Sequence, residues 1–154
     1  MITAEFDYHA PRTVPEALKL LSSLGDDAKL LAGGHSLLPM MKLRFAAPSH
    51  LIDLGKIPTL RGITQVGNEI HIGAMTTEHE LLHSKLLADK VPLLVEGAGW
   101  IADPQIRYKG TIGGVMRVEI RAPTGVKART GIIIPMRSAS ASIPIATIRR
   151  FITS

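Results

Sequence analysis

Two short glycine loops are the residues best suited to chemistry in this chain: Ala32-Gly33-Gly34-His35-Ser36 and Gly110-Thr111-Ile112-Gly113-Gly114. A phosphate lying against main chain needs several N–H donors aimed at it and no Cβ in the way. Strand–Gly–Gly–helix turns supply both. Ser36 adds a hydroxyl donor and should open the next helix, whose N-terminal dipole would face the same anion. Two such loops could hold a diphosphate from both sides. Glycine pairs also make plain strand-to-helix turns, so one loop alone does not decide the matter. Neither loop matches G-x-x-x-x-G-K-[ST] or G-x-G-x-x-G, which disfavours ATP hydrolysis and NAD binding in a doubly wound fold.

The elements around these loops follow from local pattern. Thr13-Val14-Pro15-Glu16 reads as a capping box that opens a helix with Ala17, Leu18, Leu20, Leu21 and Leu24 on its apolar side and Gly25 as its stop. Asp26-Asp27 make a polar turn before Ala28-Lys29-Leu30-Leu31-Ala32, a buried strand that Gly33-Gly34 interrupt. The next helix begins near Ser36, carries Leu37, Leu38, Met40, Met41 and Leu43, and stops before Pro48. His50 to Leu54 is a second buried strand. Gly67-Asn68 is a two-residue hairpin signal between Ile63–Gln65 and Glu69–Ile72. Thr77-Glu78-His79-Glu80 is a second capping box, and a further helix covers Val91–Trp100 ahead of Ala102-Asp103-Pro104.

Composition narrows the function classes. The 154 residues are 45% hydrophobic and 20% charged, enough for one buried core or two small lobes. No apolar run approaches the roughly 20 residues that span a bilayer, and no basic-then-apolar leader opens the chain, so a cytoplasmic protein is the default. The chain has no cysteine, which excludes disulfides, thiolate nucleophiles and its own iron–sulfur ligation. The net charge of +5 is unevenly placed. Residues 1–114 hold 11 Lys+Arg against 12 Asp+Glu, whereas 115–154 hold 7 against Glu119 alone, so the tail carries +6. With Phe151 as its only aromatic, the tail lacks the interleaved rings of a nucleic-acid binder, and no nucleic-acid partner is expected.

Residues 6–11, Leu31 to Pro39 around Ala-Gly-Gly-His-Ser, His50-Leu51-Ile52-Asp53-Leu54, Ile72 to Thr77, and Ile101-Ala102-Asp103-Pro104-Gln105-Ile106-Arg107 through Gly114 together carry a resemblance. Residues 1–114 resemble the medium, FAD-binding subunit of aerobic carbon monoxide dehydrogenase, in the xanthine dehydrogenase family of molybdenum hydroxylases. The resemblance implies an α+β fold, the FAD-binding fold of the vanillyl-alcohol oxidase (PCMH) type with two small α/β lobes, here truncated. It implies a first lobe over 1–55, the start of a second over 56–114, and a divergent basic tail over 115–154. Lys29, Leu30, Leu31, Ala32, Gly33, Gly34, His35 and Ser36 would contact the pyrophosphate and adenosine side of FAD. Gly110, Thr111, Ile112, Gly113 and Gly114 would supply the second grip, and Ile101 would line the cleft.

In such an assembly this oxidoreductase subunit passes electrons and is not active alone. A large molybdenum-containing subunit oxidises the substrate, and a small iron–sulfur subunit feeds electrons to FAD for an external acceptor. The molybdenum cofactor and the clusters sit on those partners, and no catalytic residue or metal ligand falls to this chain.

The family pattern stops after Gly114. The Arg-, Ala-, Ser- and Pro-rich tail resembles an alternative reading frame, so the chain reads as a truncated or frame-shifted relative with weakened or lost flavin binding. The competing reading has Gly131 to Ile134 and Ile143 to Ile152 as replacement strands of the second lobe.

The remaining candidates have plainer readings. His35 could donate to phosphate or be satisfied by backbone carbonyls. His79 and His83 share a helix face at i, i+4 but lack a third ligand, which favours a solvated face over a metal pair. Met40 and Met41 read as core filler, Trp100 as a buried anchor rather than a stacking group, and Asp103 as a turn cap.

Overall fold

The structure, a computed structural model, describes residues 2–115 and 131–135. Its first lobe is a parallel three-stranded sheet in the order β1 (Asp7–His9), β3 (His50–Asp53), β2 (Ala28–Leu31). The central strand pairs on one side with Asp7 to His9 and on the other with Ala28 to Leu31. Leu51 and Ile52 are fully buried, as a strand covered on both faces requires. The amphipathic helix α1 (Val14–Leu24) lies over this sheet, and Ala17 packs with Ala28, Ile52, Leu54, Ile57, Leu60 and Met75.

Thr13 Oγ1 accepts the Glu16 amide at 3.3 Å, as the capping signature requires. The Glu16 carboxylate, however, reaches the Arg12 amide at 2.9 Å, so the reciprocal half of the box closes one residue early. Helix α2 (Leu37–Lys42) is shorter than its apolar pattern suggests. It tightens at Leu43, and Arg44 turns the chain with a φ of 63°. Met41 is buried as expected, but Met40 faces solvent at 45% exposure and is not core filler.

The second lobe is antiparallel. Strands β4 (Ile63–Val66) and β5 (Glu69–Gly73) form the hairpin that Gly67-Asn68 signals, with Val66 opposite Glu69. Strand β6 (Gly131–Pro135) pairs antiparallel with the other edge of β5, from Glu69 opposite Pro135 to Gly73 opposite Gly131. The replacement-strand reading of 131–134 is thus realised, while that of Ile143 to Ile152 lies outside the described residues. Ile70 and Ile72 pack against α3 (Glu78–Leu82), α4 (Lys85–Lys90) and α5 (Pro92–Trp100) through Leu81, Leu87, Val91 and Ala98. Two short helices follow, α6 (Pro104–Arg107) and α7 (Ile112–Val115).

Between the two cores runs a seam, Ala74 to Thr77. Met75 belongs to the first core, its amide bonded to Leu60 O at 2.7 Å, and fully buried Thr76 ties Gly62 through its hydroxyl. The full capping box at Thr77 then starts α3: Thr77 Oγ1 accepts the Glu80 amide and the Glu80 carboxylate accepts the Thr77 amide.

Candidate functional site

The fold brings the two glycine loops into contact. The Gly33 amide donates to Thr111 Oγ1 at 3.1 Å, across 78 positions of sequence. A Cβ on Gly33 would stand 2.3 Å from Lys109 O and 2.9 Å from the Thr111 amide nitrogen, so no larger residue allows this approach. Gly34 has a φ of 78°, which starts the turn from β2 into α2 without strain.

The second loop is fastened from below by the seam. Glu78 N donates to Gly110 O at 3.0 Å, Ile112 N to Thr76 O at 3.0 Å, and Gly113 N to Ala74 O at 2.9 Å. Gly110 N and Gly114 N go to Ile106 O and Thr111 O. Most amides of this loop therefore serve the protein itself. Among the described residues, only Thr111 of this loop keeps an amide without a partner. The first loop is the reverse: the amides of Gly34, His35 and Ser36 have no hydrogen-bond partner among the described residues. Gly34 is half-buried and His35 and Ser36 are exposed, so these unpaired N–H groups are open to solvent and form the donor run that an anion could meet.

The sequence-selected residues divide accordingly. Gly33 meets Gly110, Thr111 and Gly114, and the His35 ring comes up beside Gly110. His35 is exposed with no carbonyl partner among the described residues, so the carbonyl-satisfied reading does not occur. Ser36 sits at the N-cap position without a side-chain cap bond, and α2 is six residues long, so the donor set is the amides themselves rather than a strong helix dipole. Lys29 is exposed, and its ammonium donates to Asp26 O at 3.2 Å; Leu30 and Leu31 are half-buried in β2. Ile101 is half-buried in the turn after α5, while Ile112 and Gly113 anchor the loop from inside.

Two residues of this region carry no local sequence signal. Arg107 donates to Ile101 O at 2.8 Å, Gly99 O at 2.7 Å and Ala102 O at 2.9 Å. One guanidinium thus gathers the open carbonyls at the end of α5 and holds Ala102 at a φ of 50°. Glu78 is 2% exposed, and its Oε1 has no partner among the described residues. Burial raises its pKa above the ordinary carboxylate value. A carboxylate in the first turn of a helix ordinarily reads as a solvated partner of the dipole, which is why the capping signature conceals it.

Other expectations are corrected. Trp100 is 84% exposed, not a buried anchor, because Ala98 two positions earlier takes the inward face of α5. Asp103 caps α6 with its carbonyl, which accepts from Ile106 and Arg107, and not with its side chain. The His79 ring stacks on Tyr108 at 4.1 Å and lies beside His83; no metal-ligating cluster occurs among the described residues. No helix among the described residues is long and apolar enough to cross a membrane.

Comparison with known proteins bears directly on these loops. Residues 4–147 match the FAD binding domain in molybdopterin dehydrogenase. The chain belongs to this family. It is 61% identical over 114 residues to the carbon monoxide dehydrogenase medium chain of Hydrogenophaga pseudoflava and 55% identical over 114 residues to that of Afipia carboxidovorans, in each case covering 74% of this chain and 40% of the relative. Among solved structures, carbon monoxide dehydrogenase from Hydrogenophaga pseudoflava lacking the Mo-pyranopterin moiety superposes with a TM-score of 0.72 over 74% of this chain and 40% of that one. The chain thus spans about 40% of the length of the relatives it matches. The family match runs on to residue 147 and takes in β6, whereas these relatives align over 114 residues.

The FAD-binding α+β fold expected from sequence is the observed one, and FAD is the cofactor of this family. The donor set fits it. A diphosphate diester stays anionic at all ordinary pH values and needs several N–H groups, which the unpaired amides of Gly34, His35 and Ser36 offer beside side-chain-free Gly33. Bound FAD supplies reversible electron acceptance at its isoalloxazine ring.

Proposed function

We propose that this chain is the FAD-binding, electron-transferring medium subunit of a molybdenum hydroxylase of the carbon monoxide dehydrogenase kind. It takes electrons from iron–sulfur clusters on a small partner and passes them to an external acceptor, and substrate oxidation falls to a large molybdenum-containing partner. The observation that carries this reading is the Gly33–Thr111 tie beside the unpaired amides of Gly34, His35 and Ser36. In this reading the 32–36 loop, with Lys29 to Leu31 leading into it, lies along the pyrophosphate and adenosine side. Thr111 is the donor on the second side, Gly110 and Ile112 to Gly114 shape that loop, and Ile101 lines the cleft. The absence of cysteine agrees with clusters carried elsewhere.

A second reading keeps the fold but not the flavin. It is favoured by the second loop, most of whose amides are already committed to protein carbonyls. Purification with added FAD, desalting and an absorption spectrum separate the two. Near-stoichiometric flavin bands support the first. A folded circular dichroism spectrum without retained flavin overturns it.

A further inference from the structure

Glu78 is a buried acid with no visible employment. It stands in the first turn of α3, is 2% exposed, and leaves Oε1 without a partner among the described residues. Its position connects it to both loops. Its amide holds Gly110 O at 3.0 Å, next to the pairing of Thr77 with Thr111. Its Cγ and the His35 ring both come within 4 Å of the point where a Cβ on Gly110 would stand. Thr111 in turn holds the Gly33 amide. A carboxyl at the junction of the two glycine loops adds or removes a full charge beside them.

Among the described residues, no ion pair offsets that charge. The titratable and charged groups on elements packed against Glu78 are His79 and Glu80 on α3, Glu96 on α5, Arg107 at the end of α6 with Tyr108 and Lys109 beyond it, and His35 on the first loop. Arg107 is engaged by three carbonyls, Glu80 by the Thr77 cap, and His79 by the Tyr108 ring. None of them makes an ion pair with Glu78.

We infer that Glu78 is a proton-linked positioning residue for the cofactor: as the neutral acid it lets the two loops close on the FAD diphosphate, and as the carboxylate it repels that diphosphate and loosens the loops. The inference rests on the FAD reading given above. The linkage has a definite sign. Burial already favours the protonated acid in the free chain, and an adjacent dianion favours it further, so FAD binding takes up a proton at Glu78. FAD affinity is therefore highest at low pH and falls as pH rises above the free chain's Glu78 pKa, by up to about tenfold per pH unit for one linked proton.

The test is FAD titration of the full chain by quenching of flavin fluorescence, from about pH 5 to about pH 8, where the diphosphate charge is constant. Glu78→Gln should bind FAD with an affinity that varies little over this range, and Glu78→Met, which places no polar atom in the site, should do the same. Circular dichroism checks that each variant is folded. His35→Gln, which replaces the histidine nearest Glu78 on the first loop, is the control and should keep the slope. A second readout is proton uptake on FAD addition in weakly buffered solution, present in the parent and lost in Glu78→Gln. A folded Glu78→Gln that keeps the parent's slope, or a slope lost only in His35→Gln, overturns the inference while leaving the FAD reading intact. No flavin bound by the parent at any pH overturns both.

Discussion

The Gly33 amide and the Thr111 hydroxyl oxygen meet at 3.1 Å, and this single bond ties the loop after β2 to the loop before α7. Thr111 is 3% exposed and the bond is part-buried, so leaving the Gly33 amide unpaired there is costly. The tie depends on the absence of a side chain at residue 33.

Gly33→Ala tests that dependence. The added methyl would meet Lys109 O and the Thr111 amide, both main-chain atoms that can yield only if the loops part. A destabilisation of about 1–3 kcal/mol is expected in thermal or urea unfolding, together with loss of retained flavin. Unchanged stability would show that the loops are not in contact in solution.

Thr111→Val removes the acceptor and keeps the shape. It should cost about 1–3 kcal/mol through the stranded Gly33 amide, whereas Thr111→Ser should restore most of that. Urea unfolding of the three proteins decides. Equal midpoints for Val and Ser would mean that the hydroxyl does no holding.

The sequence is legible where structure is local. Gly67-Asn68 marks its hairpin because a two-residue turn selects its own residue types, and Thr77 with Glu80 marks its helix start because both halves of the cap lie within four residues. The first cap is half-legible, since Thr13 behaves as expected but Glu16 finds Arg12 instead. Glycine loops of the right type are visible at 32–36 and 110–114. What is not visible is that one offers its amides outward while the other gives them to Ala74, Thr76 and Ile106, because those partners are set by the seam between the cores. Trp100 and Glu78 mislead for one common reason. Side-chain type suggests outside for the acid and inside for the indole, and the facing of α3 and α5 reverses both.

Arg107 offers a third prediction. Its three carbonyl bonds end α5 and fix the turn through Ile101 and Ala102. Arg107→Met should destabilise by about 1.5–3 kcal/mol, since it strands carbonyls that a charged donor had satisfied. Arg107→Lys should recover little, because an ammonium cannot reproduce the planar fork that meets three carbonyls. Thermal unfolding of both variants is the check, and full rescue by lysine would contradict the fork argument.

Tyr8 and Asp53 give a prediction with pH as the variable. The Tyr8 hydroxyl donates to Asp53 Oδ2, while Asp53 Oδ1 accepts the Gly55 amide at 2.7 Å, so one carboxylate joins β1 to the turn after β3. The hydrogen bond, then burial, then the Asp53 charge all raise the Tyr8 pKa above 10.0. The folded chain therefore holds a proton that the unfolded chain releases once pH passes about 10. The stability that this pair contributes is fully present below that value and is lost as pH rises from it through the raised folded value. Urea unfolding of the parent and Tyr8→Phe between about pH 8 and pH 11 should show a constant gap at first and a narrowing gap above about pH 10. Alkaline titration of the tyrosine absorbance should lose its later-titrating component in Tyr8→Phe. A gap that stays constant or widens across that range would mean that the phenol is not held by Asp53 in solution.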